Sequence, residues 1–497
     1  MLKRLHLSRR TFLKASAIGV AGLLVTGYLF RDRFLNDGNP SSTAKDVVRG
    51  QRLPILDLLT GTEMDGKQIY DLTMQKGSMA YVSGMQTATF GYNGNILGPT
   101  LLMHKGDEVV INVTNQLGEP TTTHWHGLHL PAIMDGGPHQ RIENGQTWQA
   151  RYTIMNEEAT FWYHPHLEGK TAKHVYHGLA GLLIVKDPLS DLDLPDQYGI
   201  DDIPVIVQDK VIAADGSFNY PGTRFGVKGD QSLVNGAIAP VFNAPAQIVR
   251  LRLLNGSNAR IYNFGFSDDR RFHQIGTDGG LLEGPAPLTR LTLSPGERAE
   301  ILVDFGGEEN SQVRLMSYSS ELDNLNPFWN SNSLDGSDFD IMTIDVGAAT
   351  ANPVTVLPAS LTSIGRLPED QAVRTRPFEL EMGFSGPMKI NGQSMDLDRI
   401  DETIEVNDTE IWGIINKSEM PHPFHVHDIQ FLILTRDGSP PPDNEAGWKD
   451  TVLVMPGKTV RIIARFSDFV DPVNPYMFHC HILEHEDAGM MGQFVVV

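Results

Sequence analysis

Short apolar runs recur along this chain with polar residues set at alternate positions, and Gly, Pro, Asn or Asp stops each one. That alternation predicts half-buried β-strands, because successive side chains on a strand face opposite ways. Long amphipathic helical patterns are scarce. Three runs resemble one another: Val109-Val110-Ile111-Asn112-Val113-Thr114-Asn115, Ile248-Val249-Arg250-Leu251-Arg252-Leu253-Leu254-Asn255, and Ile411-Trp412-Gly413-Ile414-Ile415-Asn416. Each ends on Asn, a turn former. A second marker follows each run, a Gly turn leading into an alternating strand. It reads Glu143-Asn144-Gly145-Gln146, then Ser294-Pro295-Gly296-Glu297, then Met455-Pro456-Gly457-Lys458. The two markers agree on three units, 45–188, 200–347 and 355–497. The stretch from Asp187-Pro188 to Asp202 and that from Gly347 to Leu361 read as linkers. The expectation is an all-β chain of three tandem β-sandwich domains.

The first 35 residues break this pattern. Ser8-Arg9-Arg10-Thr11-Phe12-Leu13-Lys14 precedes an apolar stretch, Ala15 to Phe30, that is short and Gly-containing for a membrane span. A basic start followed by a short apolar segment reads as an export leader, and the Arg pair resembles the twin-arginine type. Periplasmic or cell-envelope location follows, and an uncleaved leader would tether the chain to a membrane. The net charge of −21 argues against a nucleic-acid partner. It suits solubility, or a field that attracts cations. One cysteine, Cys480, cannot form an internal disulfide. In an oxidising compartment a lone thiol is either an inert core residue or occupied.

The 17 histidines are unevenly placed. The middle unit holds only His273. The outer units hold His124-Trp125-His126-Gly127, His164-Pro165-His166, His422-Pro423-Phe424-His425-Val426-His427, and His479-Cys480-His481 with His485 after it. One H-x-H pair is unremarkable, but these clusters fall at equivalent points of two repeats. His124 lies nine residues after Asn115, and His422 six after Asn416. His164 lies 19 after Gly145, and His479 22 after Gly457. On a strand, residues i and i+2 face one side, so each pair sends two imidazoles to one place. Eight imidazoles exceed one ion and suit three, and imidazole suits copper, zinc and iron. Cys480 points away from its histidine neighbours, toward the side where His422, His485 and Met490 are available. A thiolate, two imidazoles and a long thioether form a blue-copper electron-transfer site. Met491 is the weaker axial candidate.

The motifs H-W-H-G, H-P-H, H-P-x-H-x-H and H-C-H-x3-H-x4-M resemble the signature of the multicopper oxidases over residues 50–497. Among these the chain is most similar to the bacterial copper efflux oxidases, through Asn93-Gly94-Asn95-Ile96-Leu97-Gly98-Pro99, Gly178-Leu179-Ala180-Gly181-Leu182, Gly447-Trp448-Lys449-Asp450-Thr451 and Glu484-His485-Glu486-Asp487. The resemblance implies three cupredoxin domains, four copper ions and the four-electron reduction of dioxygen to water. It implies a type 1 copper on His422, Cys480, His485 and Met490, and a type 2 copper on His124 and His425. One type 3 ion would take His126, His164 and His481, the other His166, His427 and His479. Asp135 and Glu486 match acidic residues that deliver protons. The resemblance also implies a substrate role for Met382 and Met420, which fall where the copper efflux oxidases have methionines that bind Cu(I). Closure of the cluster within one chain implies a monomer.

Two departures qualify that picture. Asp428 stands where the family usually has Gly. A Met-rich insertion is missing, since Met382 runs through Gly383-Phe384-Ser385-Gly386-Pro387 into Met388-Lys389-Ile390. Thioethers select Cu(I), so the loss weakens the case for Cu(I) as donor. It should also uncover His422 or His485 to phenols, giving laccase-like activity. A copper nitrite reductase is disfavoured, because it resembles a two-domain chain without the eight-histidine cluster. The remaining alternative is a non-enzymatic exported scaffold or copper binder.

Overall fold

The computed structural model describes residues 46–322, 334–383 and 385–497; the leader expected over residues 1–35 lies outside them. Among the described residues no helix is long and apolar enough to cross a membrane. The described residues are nearly all β, in six sheets that pair into three cupredoxin-like sandwiches.

In the first sandwich, strand Lys67–Met79 shows the alternation that the sequence predicts: Tyr70, Leu72 and Met74 are buried and the residues between them are not. This strand pairs in parallel with Glu108–Gln116, which pairs antiparallel with Thr147–Thr153. The facing sheet runs in the order Leu58–Leu59, Thr100–His104, Gly181–Lys186, Ala159–His164, His124–His126. The third sandwich repeats this layout. Its inner sheet runs Glu402–Ile404, Met491–Val496, Asp471–Cys480, His422–Val426, Thr451–Val454. In both outer sandwiches the two histidine-bearing strands are therefore antiparallel neighbours, with His124 opposite His164 and His425 opposite His479.

The middle sandwich differs. Strand Ile248–Asn255 is buried at every position, because one face packs into its own core and the other meets the first sandwich. The polar residues on that second face are satisfied by charge pairing. Arg252 donates to both carboxylate oxygens of Asp202 (2.6 and 2.9 Å) and to Thr160 Oγ1 of the first sandwich (2.9 Å). Thr160 Oγ1 in turn donates to Glu300 Oε1 (2.6 Å). Buried charges are tolerated only when paired and hydrogen-bonded in this way.

The third core is aromatic. Phe378 is fully buried, with ring centroids 4.3 Å from Trp412 and 4.8 Å from Phe478 on the strand that carries Cys480. Phe378→Ala should destabilise this sandwich by about 3–5 kcal/mol. Urea unfolding followed by Trp fluorescence checks this; a midpoint equal to wild type would show that this cluster does not support the strand.

Candidate metal centres

The four histidine pairs converge between the first and third sandwiches, and every histidine in them is buried. Rings stack across the gap in two matching pairs: His124 on His427 (3.9 Å between centroids) and His126 on His425 (3.7 Å). The arrangement has an approximate two-fold relation, exchanging His124 with His425, His126 with His427, His164 with His479 and His166 with His481. Hydrogen bonds obey it. His124 Nδ1 donates to the Asp135 carbonyl (3.0 Å) and His425 Nδ1 to the Asp450 carbonyl (2.8 Å). His164 Nδ1 donates to Pro165 O (2.8 Å) and His479 Nδ1 to Cys480 O (3.1 Å), the carbonyl of the next residue in each case. The second histidines His166, His427 and His481 lie just beyond the ends of their strands, so strand alternation alone does not aim them.

These bonds engage Nδ1 of each ring and turn Nε2 toward the other imidazoles. His124 Nε2 and His425 Nε2 are buried with no hydrogen-bond partner, as are both nitrogens of His481. Orphaned buried nitrogens are costly unless something binds them. Donor atoms of His124, His126 and His425 lie within 4.8 Å of one another, as do those of His126, His164 and His481, and those of His166, His427 and His479. The last two have the same members as the type 3 sets that the resemblance implies, while the first includes His126 beside His124 and His425. Burial and neighbouring imidazoles push the pKa values of His126, His164, His166, His425 and His479 well below 6.5. Burial pulls His427 down to about 4 and His481 to about 3. Neutral imidazole is the form that binds metal, so the donor set fits copper.

A fourth group lies on the far side of Cys480. The separations are 3.3 Å from Cys480 Sγ to His422 Nδ1, 3.5 Å from Sγ to His485 Nδ1, and 3.2 Å between the two nitrogens. Met490 is buried in the same cluster, and its backbone bonds to Cys480 and His485. Burial pushes the thiol of the metal-free chain well above its usual range, and a cation would reverse that. His422 Nε2 donates to Ser418 Oγ (2.7 Å), which leaves Nδ1 free toward the sulfur.

The expected uncovering of this site does not occur: His422 and His485 are both 0% exposed. Arg224 of the middle sandwich explains part of the cover. Its backbone meets His485, and its guanidinium donates to Gly383 O (2.7 Å) and Gly386 O (2.9 Å), holding the short turn that replaces the missing insertion. Phe384 of that turn lies outside the described residues. Met420 is 4% exposed within the core cluster, and Met382 packs against it half-buried.

The acidic candidates occupy distinct places. Asp135 Oδ2 accepts from His427 Nδ1 (2.7 Å) and Oδ1 lies 3.3 Å from His124 Nδ1. Burial raises its pKa, but His427 and His124 outweigh that and hold it below the usual carboxylate range. Glu486 lies 3.4 Å from both His166 Nδ1 and His479 Nδ1, and burial, reinforced by Asp487, raises it well above its usual value. Asp428 adopts a left-handed conformation (φ 69°), which Asp tolerates better than most residues. Its carboxylate accepts from His129 Nδ1 (2.8 Å), so the substitution for Gly costs no ligand and adds a link across the two histidine loops. Sequence reading missed Asp450, Arg298 and Ser418 as supports of the site. Asp450 was signalled only by its place in the Gly447–Thr451 motif.

In the metal-free chain, His422, His427 and His481 stay neutral to pH values of about 3–4, whereas an unfolded histidine binds a proton near 6.5. Below pH 6.5 the unfolded state therefore binds more protons, and stability is lost as pH falls through that window. The unfolding temperature of copper-free protein should drop between pH 6.5 and about 4. A flat profile would contradict neutral burial of these rings.

Two multicopper oxidase family models match the chain, over residues 73–190 and 366–497. "Multicopper oxidase mco" of Staphylococcus haemolyticus is 38% identical over 87% of this chain and 89% of its own length. "Cell division protein FtsP" of Photorhabdus laumondii is 36% identical over 90% of this chain and 92% of its own. Among solved structures, the laccase-like multicopper oxidase CueO of Ochrobactrum sp., described with oxidase activity towards lignin model compounds, superposes with a TM-score of 0.81 at 38% identity, covering 90% of this chain and all of that one. With these matches and a full set of converging donors, the chain belongs to the multicopper oxidase family.

Proposed function

We propose that this chain is an exported, monomeric oxidase that couples one-electron oxidation of a reducing substrate, a phenol or Cu(I), to four-electron reduction of dioxygen to water. The observation that carries this reading is the completeness of the donor set: eight buried imidazoles in one cluster, and a buried Cys–His–His group beside it. His422, Cys480, His485 and Met490 would hold a type 1 ion, His124 and His425 a type 2 ion, and the remaining six histidines a type 3 pair. Copper would supply the one-electron redox chemistry and the place where dioxygen binds.

The protein's own contribution is positional. Cys480 joins the two centres covalently through its peptide bonds to His479 and His481. Burial excludes water from both. Asp135 and Glu486 are the carboxylates within reach of cluster histidines that form no ion pair with Lys or Arg among the described residues. Glu486, which burial favours in its protonated form, can hold and release a proton beside the cluster, whereas Asp135, which His427 and His124 favour in its ionised form, can accept one. Glu486→Gln should slow steady-state dioxygen uptake by roughly 10²–10⁴-fold while leaving copper content unchanged; uptake at the wild-type rate would remove Glu486 from proton delivery.

The donor lies beyond the cover of the type 1 group. Met382, half-buried, and Met420, buried in the core cluster that holds Cys480, carry thioethers that suit Cu(I), whereas phenols need access to a histidine edge. The relatives named "Cell division protein FtsP" motivate a second reading, in which this chain serves cell division as an exported scaffold or copper binder and not as an oxidase. Dioxygen uptake by copper-loaded protein with Cu(I) and with a dimethoxyphenol, beside Met420→Ala, separates these readings. Preference for Cu(I) that Met420→Ala abolishes identifies a cuprous oxidase, consistent with a role in copper tolerance. Preference for phenol unaffected by Met420→Ala identifies a laccase-type enzyme. No uptake with either donor, at full copper loading, would contradict the oxidase reading and favour the second.

A further inference from the structure

The two-fold relation of the histidine cluster extends to a pair of aspartates, and it breaks there. Asp135 of the first sandwich and Asp450 of the third play matching parts. Each accepts a type 2 histidine's Nδ1 at its backbone carbonyl, and each meets a type 3 histidine with its carboxylate: His427 Nδ1 at 2.7 Å for Asp135, His126 Nε2 at 3.0 Å for Asp450. Among the described residues, the ion-pair contacts of Asp135 are with His124 and His427. Asp450 is instead gripped by Arg298 of the middle sandwich, which donates to both of its oxygens at 2.7 Å.

Arg298 is fully buried, and each of its five side-chain donors has an acceptor. Besides Asp450 these are Thr160 O of the first sandwich (3.1 Å), and Gly296 O (3.2 Å) and Asp278 O (2.7 Å) of the middle one. One guanidinium thus ties all three sandwiches together behind the cluster. The surrounding sequence accommodates it. Gly127, directly after His124-Trp125-His126, has φ +86°, and a Cβ there would stand 2.3 Å from Asp450 Oδ2 and 2.8 Å from Arg298 Nη2. Lys449 bridges Asp278 (2.8 Å) and Glu297 (3.1 Å), offsetting the remaining buried acids.

We infer that Arg298 is a positioning residue for the cluster: by clamping Asp450 in a bidentate pair, it fixes the orientation of His126 and His425, so that the ligand-free middle sandwich helps build the metal centre. This rests on the reading that His124, His126 and His425 hold copper. A planar guanidinium is needed, because an ammonium has three donors and no fork to match a carboxylate.

The test uses full-length copper-loaded protein and the variants Asp450→Asn, Arg298→Met, Arg298→Lys and the double variant Asp450→Asn/Arg298→Met. Copper retention against a chelator and the type 2 electron paramagnetic resonance signal are read beside the blue type 1 absorption. The inference expects single variants to lose type 2 copper roughly 10–100-fold more readily, the range for residues that orient metal ligands. Blue absorption should persist, Arg298→Lys should fail to restore retention, and the double variant should be no worse than the poorer single. Wild-type retention and an unchanged type 2 signal in Asp450→Asn and Arg298→Lys would overturn it, reducing Arg298 to a link between domains. Asp450→Asn preserves shape, so it decides the matter even if Arg298→Met does not fold. Absence of type 2 copper from the wild type would instead overturn the copper reading beneath this inference.

Discussion

Everything at the centre of this molecule depends on keeping many imidazoles buried, neutral and uncompensated by one another. Rings stacked at 3.7 and 3.9 Å between centroids, with nitrogens that have no hydrogen-bond partner, are an unfavourable arrangement for a protein core. It persists because the sandwiches around it are over-determined. Paired antiparallel strands fix the first histidine of each pair, backbone carbonyls fix the tautomers, and buried ion pairs bind the three sandwiches to one another. A cation that accepts the orphaned nitrogens converts the arrangement from a cost into a binding site.

The repeat within the chain explains why the site has the form it has. Two sandwiches of the same layout meet face to face, so each ligand in one has a counterpart in the other, down to the carbonyls that receive Nδ1 of His164 and His479. Function comes from departures from that symmetry. Only the third sandwich has a cysteine between its histidines, which adds the separate Cys480 group. Glu486 lies against His166 and His479, and Arg298 grips Asp450 while Asp135 has no such partner among the described residues.

Much of this was legible in the chain. The alternation in Lys67–Met79 and the Asn-terminated repeats predicted β-sandwiches, and the i, i+2 histidine spacing predicted convergence from two outer units. The grouping into ion sites came from the family resemblance alone. What sequence could not reveal is contact between units. Arg298 and Asp450 are 152 residues apart and in different sandwiches, so no local pattern links them. The cover of the type 1 group was misjudged for the same reason. Removing an insertion uncovers a site only if nothing else reaches it, and Arg224, far off in the middle sandwich, meets His485 with its backbone and binds Gly383 and Gly386 of the shortened turn with its guanidinium.

The central claim, that one chain gathers electrons singly and delivers them together to dioxygen, is tested most directly by stoichiometry. Copper-loaded protein is supplied with a one-electron donor, and donor oxidised, dioxygen consumed and peroxide formed are measured together. The account predicts about four donors oxidised per dioxygen and no peroxide. About two donors per dioxygen with peroxide accumulating, or no consumption by fully loaded protein, would contradict it.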